Sequence, residues 1–140
     1  MSTKPLGKAQ YETLAAFRYA LRKFIHFSET AAESAGVTPQ QHQVLLAIKG
    51  FPGRDRVTVS ELAERLQLRH HSVVGLIDRL AAEGLAVREA ATEDRRQVFV
   101  RLTSRGERKL EQLSFIHRKE LGRIGPTLNA LLKKIDSTKA

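Results

Sequence analysis

The 140-residue sequence contains no cysteine and no tryptophan, and none of its apolar runs approaches the roughly 20 residues that a membrane-spanning helix requires. Without cysteine the chain has no disulfide, no thiolate nucleophile and no thiol with which to sense oxidants. The N-terminal residues also lack the apolar core of a signal peptide. We therefore expect a cytoplasmic chain without a membrane partner. Its hydrophobic content of 41% and charged content of 28% are ordinary for a globular protein.

Acidic residues are the minority of the charged groups, since 15 Asp and Glu stand against 24 Lys and Arg, which gives a net charge of +9. A strong basic excess favours a polyanionic partner. Between positions 54 and 108 the chain contains arginine but no lysine. Planar guanidinium groups bind phosphate oxygens and guanine edges through paired hydrogen bonds, although a compositional bias toward arginine would explain the absence of lysine equally well.

Histidine occurs five times, but not at a spacing that binds metal. The adjacent residues His70 and His71 would point about 100° apart on a helix, and the chain has no H-x-x-x-H pair. Together with Ser72 and Asp78 they include the residue types of a hydrolytic triad, but no nucleophile-elbow motif accompanies them. We predict no metal, no other cofactor and no enzymatic activity.

Residues 58–102 carry the most informative pattern in the chain. Thr58 and Glu61 form a capping box, and apolar residues then recur at helical spacing in two segments separated by a tight break at Gln67–Leu68. Gly84 is suited to ending the second helix, and two alternating strand patterns joined by a polar turn follow it. This order predicts a helix-turn-helix followed by a β-hairpin, or wing. The apolar positions are Leu62, Ala63, Leu66, Val73, Leu76, Ile77, Leu80, Leu85, Val87, Val98, Val100 and Leu102.

Helical patterns flank this segment on both sides. One long helix is predicted over residues 11–35, and the capping sequence TPQQ at residues 38–41 predicts the start of a second helix. Arg56–Val57 can add a short third strand to the wing. After the wing, a long helix is predicted over residues 103–135, with Thr103 as its cap. Gly125–Pro126 should interrupt it, because proline disfavours helical backbone in the residue before it.

The helices at the two chain ends carry larger apolar stripes than a small winged core would cover. They are buried either in an intramolecular bundle or against a second copy of the chain, and we favour the second copy because a winged helix-turn-helix that reads two half-sites needs a dimerisation module. Residues 1–140 thus form one mainly α domain with a small β wing. In it, residues 11–35 and 103–135 are dimerisation helices and residues 56–102 are the winged helix-turn-helix lobe.

Three segments of the chain resemble the MarR family of winged helix-turn-helix regulators. They are Thr38-Pro39-Gln40-Gln41 with Val44-Leu45; Glu61-Leu62-Ala63 with Leu66 and Leu68, continuing to Ile77-Asp78-Arg79-Leu80 and Gly84-Leu85; and Asp94-Arg95-Arg96 with Val100, Leu102, Thr103 and Gly106. The resemblance extends from about Tyr11 to Ile135, and the last segment is the most specific. It implies a homodimer that binds a pseudo-palindromic operator in double-stranded DNA, usually as a repressor. It also implies an effector pocket between the dimerisation module and the DNA-reading lobe.

The resemblance implies that the first turn of the recognition helix, Arg69-His70-His71-Ser72, enters the major groove. The chain departs from the family here, because a small polar cap followed by proline is common and this chain has Arg69-His70. The missing cap costs roughly 1 kcal/mol. Gly75 stands where the family often has a longer polar side chain, so we expect little base readout from the second turn. Arg79 is predicted to contact phosphate, or else to pair with Asp78.

In the wing, Arg96 matches the minor-groove arginine of the family and Asp94 matches the acid that orients it. A narrow minor groove has an enhanced negative potential, and a guanidinium that is already positioned loses less entropy on insertion. Arg95 is the candidate for a phosphate contact. A solvated charged turn is the alternative interpretation.

Five residues are candidates for the effector pocket. Arg18, Arg22, His26 and Phe27 lie on the first helix, and His42 lies near the start of the second. Guanidinium and imidazole groups beside an aromatic ring would suit a small aromatic carboxylate or a phenolic effector. Alternatively, His26 and His42 are interhelix residues whose hydrogen bonds are satisfied within the fold.

The sequence as a whole therefore favours a homodimeric, ligand-responsive repressor that binds double-stranded DNA. An activator and a ligand-independent DNA-binding regulator are alternatives within the same class. A winged-helix module that binds other proteins is an alternative from a different class, and the arginine at the start of the recognition helix and the Asp94–Arg96 wing argue against it.

Overall fold

The computed structural model describes residues 4–90 and 97–137, and within them the chain forms five helices and one three-stranded antiparallel sheet. The elements in chain order are α1 Lys8–Ser34, α2 Pro39–Lys49, β1 Arg56–Thr58, α3 Val59–Leu66, α4 His70–Ala82, β2 Ala86–Ala90, β3 Val98–Leu102 and α5 Ser104–Ser137. The mainly α fold class with a small β-sheet is confirmed. Among these helices, none has a stretch whose length and hydropathy would let it cross a membrane.

Two helices begin with the capping boxes that the sequence predicts. At the start of α2, Gln41 N–H donates to Thr38 Oγ1 at 3.1 Å, and Thr38 N–H donates to Gln41 Oε1 at 2.9 Å. At the start of α3, Thr58 and Glu61 form the same reciprocal pair at 3.1 and 2.9 Å. Each box satisfies two backbone donors that the helix itself leaves unpaired. Residues within four positions of one another therefore determine where each helix begins.

The ends of the helix-turn-helix elements also follow the sequence. Gln67 ends α3 in the left-handed region with φ 54°, and Leu68 N–H donates to Ala63 O at 3.0 Å. After α4, Gly84 has φ 72°, where glycine is the most favourable residue, and Leu85 N–H donates to Leu80 O at 2.9 Å. The predicted break at Gln67–Leu68 and the predicted stop at Gly84 are both confirmed.

The sheet has the order β1-β3-β2, so β3 is its central strand. Val57 of β1 and Arg88 of β2 both lie opposite Val100 of β3. The short strand predicted at Arg56–Val57 is confirmed, and it extends to Thr58, which is also the cap of α3. The sheet therefore passes directly into the helix-turn-helix at Thr58.

The chain divides into two compact units, which we call the helical unit (residues 4–31 and 115–137) and the winged unit (residues 32–114). All the buried residues in the described part of the chain belong to the winged unit. Its core joins both helices of the helix-turn-helix to α2, the sheet and the first turns of α5. The largest fully buried side chains are Leu45, Ile48, Leu62, Ile77, Leu80, Leu113, Val44, Val57, Val73 and Val100.

The start of α5 is locked to the turn that follows α4. Thr103 Oγ1 accepts the N–H of Gly106 at 3.0 Å, which confirms Thr103 as the cap, and it donates to Gly84 O at 2.7 Å. Thr103 N–H donates to Leu85 O at 3.1 Å. A Cβ atom on Gly106 would lie only 2.0 Å from the same Leu85 oxygen. Only glycine fits at position 106 without displacing that backbone.

In the helical unit, α5 continues to Ser137 with Pro126 inside the helix. The predicted interruption at Gly125–Pro126 is therefore wrong. Proline removes one helical hydrogen bond and costs about 3 kcal/mol. Residues 127–135 (TLNALLKKI) include many strong helix formers, which favour resumption of the helix after that single missing bond.

The two capping boxes differ in one chemical respect, because the α2 box uses neutral Gln41 and the α3 box uses ionisable Glu61. A hydrogen bond from Arg54 and further bonds from Thr58 hold the pKa of the Glu61 carboxyl below its usual value of 4.5. A carboxyl whose pKa is lower in the folded chain stabilises the fold fully above its unfolded pKa. That stabilisation is lost as the pH falls through the folded pKa.

We expect Glu61→Gln to lower the free energy of unfolding at pH 7 and to lower it less at pH 3, where more of the carboxyl is protonated. The substitution converts the α3 box into the α2 type, keeps an oxygen acceptor and removes only the charge, so the loss at pH 7 should be about 0.5 kcal/mol. Urea denaturation of both proteins at each pH measures it. A loss of the same size at pH 3 would show that packing, and not ionisation of Glu61, is responsible.

Candidate nucleic-acid interface

The first turn of α4 projects four polar residues into solvent. Arg69, His70, His71 and Ser72 are all exposed. Arg69 occupies the cap position with φ −74° and ψ 150°, and its side chain makes no capping hydrogen bond, as the sequence predicts. The turn therefore combines an exposed guanidinium and two exposed imidazoles with a helix N-terminus, whose backbone N–H groups favour anions.

The rest of α4 separates into a buried stripe and an exposed one. Val73, Leu76, Ile77 and Leu80 are buried in the core and hold the helix against the winged unit. On the other side, His71, Gly75 and Asp78 follow each other at the i, i+4 and i+7 positions of one stripe. A Cβ atom on Gly75 would meet no atom within 4 Å. The second turn thus leaves open space along the exposed stripe.

Asp78 is paired with a residue that the sequence analysis missed. Its Oδ1 atom lies 2.5 Å from Nη2 of Arg88 on β2. The alternative pairing of Asp78 with Arg79 is therefore wrong, because neighbouring residues on a helix point in different directions. Arg79 is exposed, and within the described residues it makes no ion pair. Strand alternation could have indicated that Arg88 faces the winged unit, because alternate residues of a strand share a face and Ala86 on that face is buried.

Other arginines of the winged unit are stacked on aromatic rings. The guanidinium carbon atoms of Arg54 and Arg65 lie 4.5 and 5.0 Å from the centre of the Phe51 ring, and Arg54 also pairs with Glu61. On the sheet, Arg56 lies 4.3 Å from the centre of the Phe99 ring. Contacts of this kind hold a guanidinium in place while leaving its edge in solvent. Residue spacing does not indicate these contacts, because they join residues that only the fold brings together.

The wing residues proposed from the sequence, Asp94, Arg95 and Arg96, lie outside the described residues. The structure describes the strands on either side of them, β2 up to Ala90 and β3 from Val98.

The candidate effector residues are divided between the two units. Arg18, Arg22 and His26 are exposed on α1, and Phe27 packs edge-on against His117 of α5 with ring centres 5.8 Å apart. His42 belongs to the winged unit, where it is buried and its Nδ1 lies 3.4 Å from Nε2 of Gln43. No group of three or more potential metal ligands occurs in residues 4–90 and 97–137.

Sequence comparison matches part of the chain to known proteins. Residues 35–97 match the model of the MarR family. The chain is 32% identical over 92 residues to the HTH-type transcriptional repressor YetL of Bacillus subtilis, an alignment that covers 65% of this chain and 54% of that protein. The chain spans about half the length of the curated relatives it matches.

Structural comparison extends the likeness along almost the whole chain. AbsC, a MarR family transcriptional regulator from Streptomyces coelicolor, matches with a TM-score of 0.77 at 22% identity, over 98% of this chain and 94% of that one. A mutant MarR from E. coli complexed with operator DNA matches with a TM-score of 0.68 at 23% identity, over 94% and 99% of the two chains. At these identities the likeness establishes the fold. Taken together, the comparisons match residues 35–97 to the MarR family and give the chain the winged helix-turn-helix fold of the solved MarR structures.

Proposed function

We propose that the chain is a transcriptional regulator that binds double-stranded DNA sequence-specifically as a homodimer, most simply as a repressor. The observation that carries this proposal is the first turn of α4. Its four exposed residues offer hydrogen-bond donors at an uncapped helix end, and nothing in the core of the winged unit requires them there. Such a turn suits the major groove, where arginine reads guanine edges and backbone N–H groups bind phosphate.

The named relatives support a regulatory role. YetL is described as a transcriptional repressor, and the E. coli MarR structure contains operator DNA. YetL and AbsC are described as transcriptional regulators, which supports the expectation that this chain is not an enzyme. We extend these descriptions to this chain as a proposal, with Arg69, His70, His71 and Ser72 in the major groove and Arg79 on phosphate.

The wing completes the proposed interface. Arg96 would enter the minor groove beside the helix, Asp94 would orient it, and Arg95 would contact phosphate. These roles rest on the match of residues 94–96 to the family pattern. They are compatible with a net charge of +9 on the chain, which favours approach to a polyanion.

The helical unit supports the homodimer. None of its described residues is buried within the single chain, and its apolar residues are exposed instead. An apolar groove in this unit is lined by Leu6, Leu14 and Ile135 together with Gln10 and Thr13. Isolated helices with such faces are stabilised by packing, so we assign them to a partner copy. The large apolar side chains exposed in this unit are Leu6, Tyr11, Leu14, Tyr19, Ile25, Phe115, Ile116, Leu121 and Leu132.

Control by a small aromatic carboxylate or phenol stays a prediction. It rests on the residue types at Arg18, Arg22, His26, Phe27 and His42. A ligand would act by binding one spacing of the two recognition helices more tightly than another. Thermal shift and DNA release can be measured across a panel of aromatic acids. No response to any of them would rule out an aromatic-acid effector and leave the DNA-binding proposal intact.

Selection of duplexes from a random pool tests the proposed function. We expect enrichment of an inverted repeat whose half-site centres lie about 10 base pairs apart, because a dimer presents its two recognition helices one helical turn apart. Light scattering of the complex should give two chains per duplex. Failure to enrich any sequence, or a complex containing a single chain, would contradict the proposal.

A further inference from the structure

An ion pair joins the recognition helix to the wing strand. Arg88 Nη2 on β2 lies 2.5 Å from Asp78 Oδ1 on α4. The two side chains are 37% and 59% exposed, so the pair lies at the surface of the winged unit. Among the described residues it is the ion pair that connects these two elements. It therefore links the two parts of the chain to which the proposed DNA contacts are assigned.

The position of the pair suits it to orient the hairpin. Ala86, at the base of β2, is buried, whereas Ala90 at the end of the described strand is exposed. Arg88 lies midway between them, on the same face of the strand. Asp78 lies on the exposed stripe of α4, one helical turn beyond Gly75. The buried base of β2 is one attachment of the hairpin to the winged unit. The Asp78–Arg88 ion pair is a second one, and it connects the hairpin to the recognition helix.

The sign of the charge on Asp78 is informative. A carboxylate on a surface that faces DNA repels phosphate, so Asp78 by itself disfavours binding. Its partner Arg88 is an arginine that could instead contact phosphate freely. An acid at this position favours DNA binding only if the orientation that it gives to the interface outweighs its repulsion of phosphate.

We propose that Asp78 and Arg88 are positioning residues for DNA recognition, which together hold the wing hairpin and the recognition helix in the relative orientation that the operator requires. The proposal rests on the proposed DNA-binding function. The proposal predicts different effects on specific and non-specific binding. A misoriented hairpin weakens binding to the correct sequence, whereas non-specific binding to phosphates depends on charge and stays in place.

The test uses full-length wild type, D78N, R88Q and the D78N/R88Q double variant. Affinity is measured for the duplex selected by the wild type and for a scrambled duplex of equal length, at one salt concentration. Each single variant should bind the selected duplex about three- to fivefold more weakly, the size expected of an exposed ion pair. The double variant should bind no more weakly than the weaker single variant, because both substitutions break the same contact. Binding of D78N to the scrambled duplex should be unchanged or slightly tighter.

Glu107→Gln is the matched control. Glu107 on α5 pairs with Lys49 on α2 at 3.1 Å, in the same unit and at similar exposure. Its substitution removes one negative charge and one ion pair, as D78N does, but does not touch α4 or β2. It should leave the ratio of selected to scrambled affinity unchanged. Thermal midpoints within a few degrees of the wild type would show that all the variants fold.

Several results would overturn the inference. If D78N binds the selected duplex as tightly as the wild type or more tightly, Asp78 acts only through its charge. If R88Q weakens binding to both duplexes equally while D78N does not weaken it, Arg88 is a phosphate contact. If D78N alone loses specificity, Asp78 reads the sequence directly. Failure of the wild type to select any duplex would instead contradict the proposed function itself.

Discussion

Replacing Gly106 by alanine is expected to lower the free energy of unfolding by about 3 kcal/mol, a loss at the upper end of the usual range for overpacking. The added methyl group would lie 2.0 Å from Leu85 O and 3.0 Å from Leu85 C. Both are backbone atoms, so no side chain can rotate away. Leu85 O also accepts the N–H of Thr103, and moving it would break the contact that joins the start of α5 to the base of the wing.

The measurement is the urea midpoint at a fixed protein concentration, since the stability of the proposed dimer would depend on concentration. Gly75→Ala is the matched control. It makes the same substitution within a helix of the same unit, at a position where the methyl group meets nothing within 4 Å. Alanine in a helix is favoured over glycine, so this variant should be more stable by about 0.5–1 kcal/mol. Equal effects of the two substitutions would contradict the close approach at position 106.

Replacing Arg69 by serine is expected to stabilise the protein and to abolish most of its DNA affinity. Serine at the cap of α4 can accept a backbone N–H from the first turn, which arginine does not do, and this should add roughly 1 kcal/mol to the free energy of unfolding. The same change removes a guanidinium from the proposed major-groove contact. Charge-assisted hydrogen bonds contribute about 1.5–3 kcal/mol, so the affinity for the selected duplex should fall at least tenfold.

Opposite signs for stability and affinity would distinguish a DNA-contacting residue from a structural one. Denaturation gives the first quantity and fluorescence anisotropy with the selected duplex gives the second. Arg108→Ser on α5 serves as the control, because it also removes one exposed arginine from the winged unit but leaves α4 intact. An Arg69→Ser protein that binds the duplex like the wild type would remove Arg69 from the interface.

Local signals in the sequence predicted much of the winged unit. The capping pairs Thr38–Gln41 and Thr58–Glu61, and the stop at Gly84, each depend on residues within a few positions of one another. Hydrophobic period then separates helix from strand, because a helix repeats every 3.6 residues and a strand every two. The short strand β1 was also predicted at Arg56–Val57.

Predictions from the sequence were wrong or incomplete where local preferences compete and where residues distant in the chain are in contact. Gly125–Pro126 looks like a helix end locally, yet α5 passes through it because the residues that follow favour helix. The partner of Asp78 is ten positions away on β2, and only the packing of the hairpin brings Arg88 to it. The stacking of Arg54 and Arg65 on Phe51 is non-local in the same way. Contacts of this kind depend on tertiary geometry, which residue spacing does not contain.

The apolar stripes on the terminal helices were recognised in the sequence, but a single chain does not bury them. Tyr19 and Phe115 are each 61% exposed, and Ile25 is 54% exposed. Their burial therefore depends on the proposed partner copy. In that arrangement the helical unit would set the separation between two recognition helices, and the winged unit would supply the contacts that read the sequence.

The salt dependence of binding to the selected duplex tests the central claim most directly, namely that a positively charged winged dimer recognises DNA. Each phosphate that the protein neutralises releases counterions and contributes about −0.9 to the slope of the logarithm of the binding constant against the logarithm of the salt concentration. If each protomer neutralises about three phosphates, the dimer should show a linear plot with a slope of roughly −5. A slope near zero, or no binding at low salt, would contradict the account.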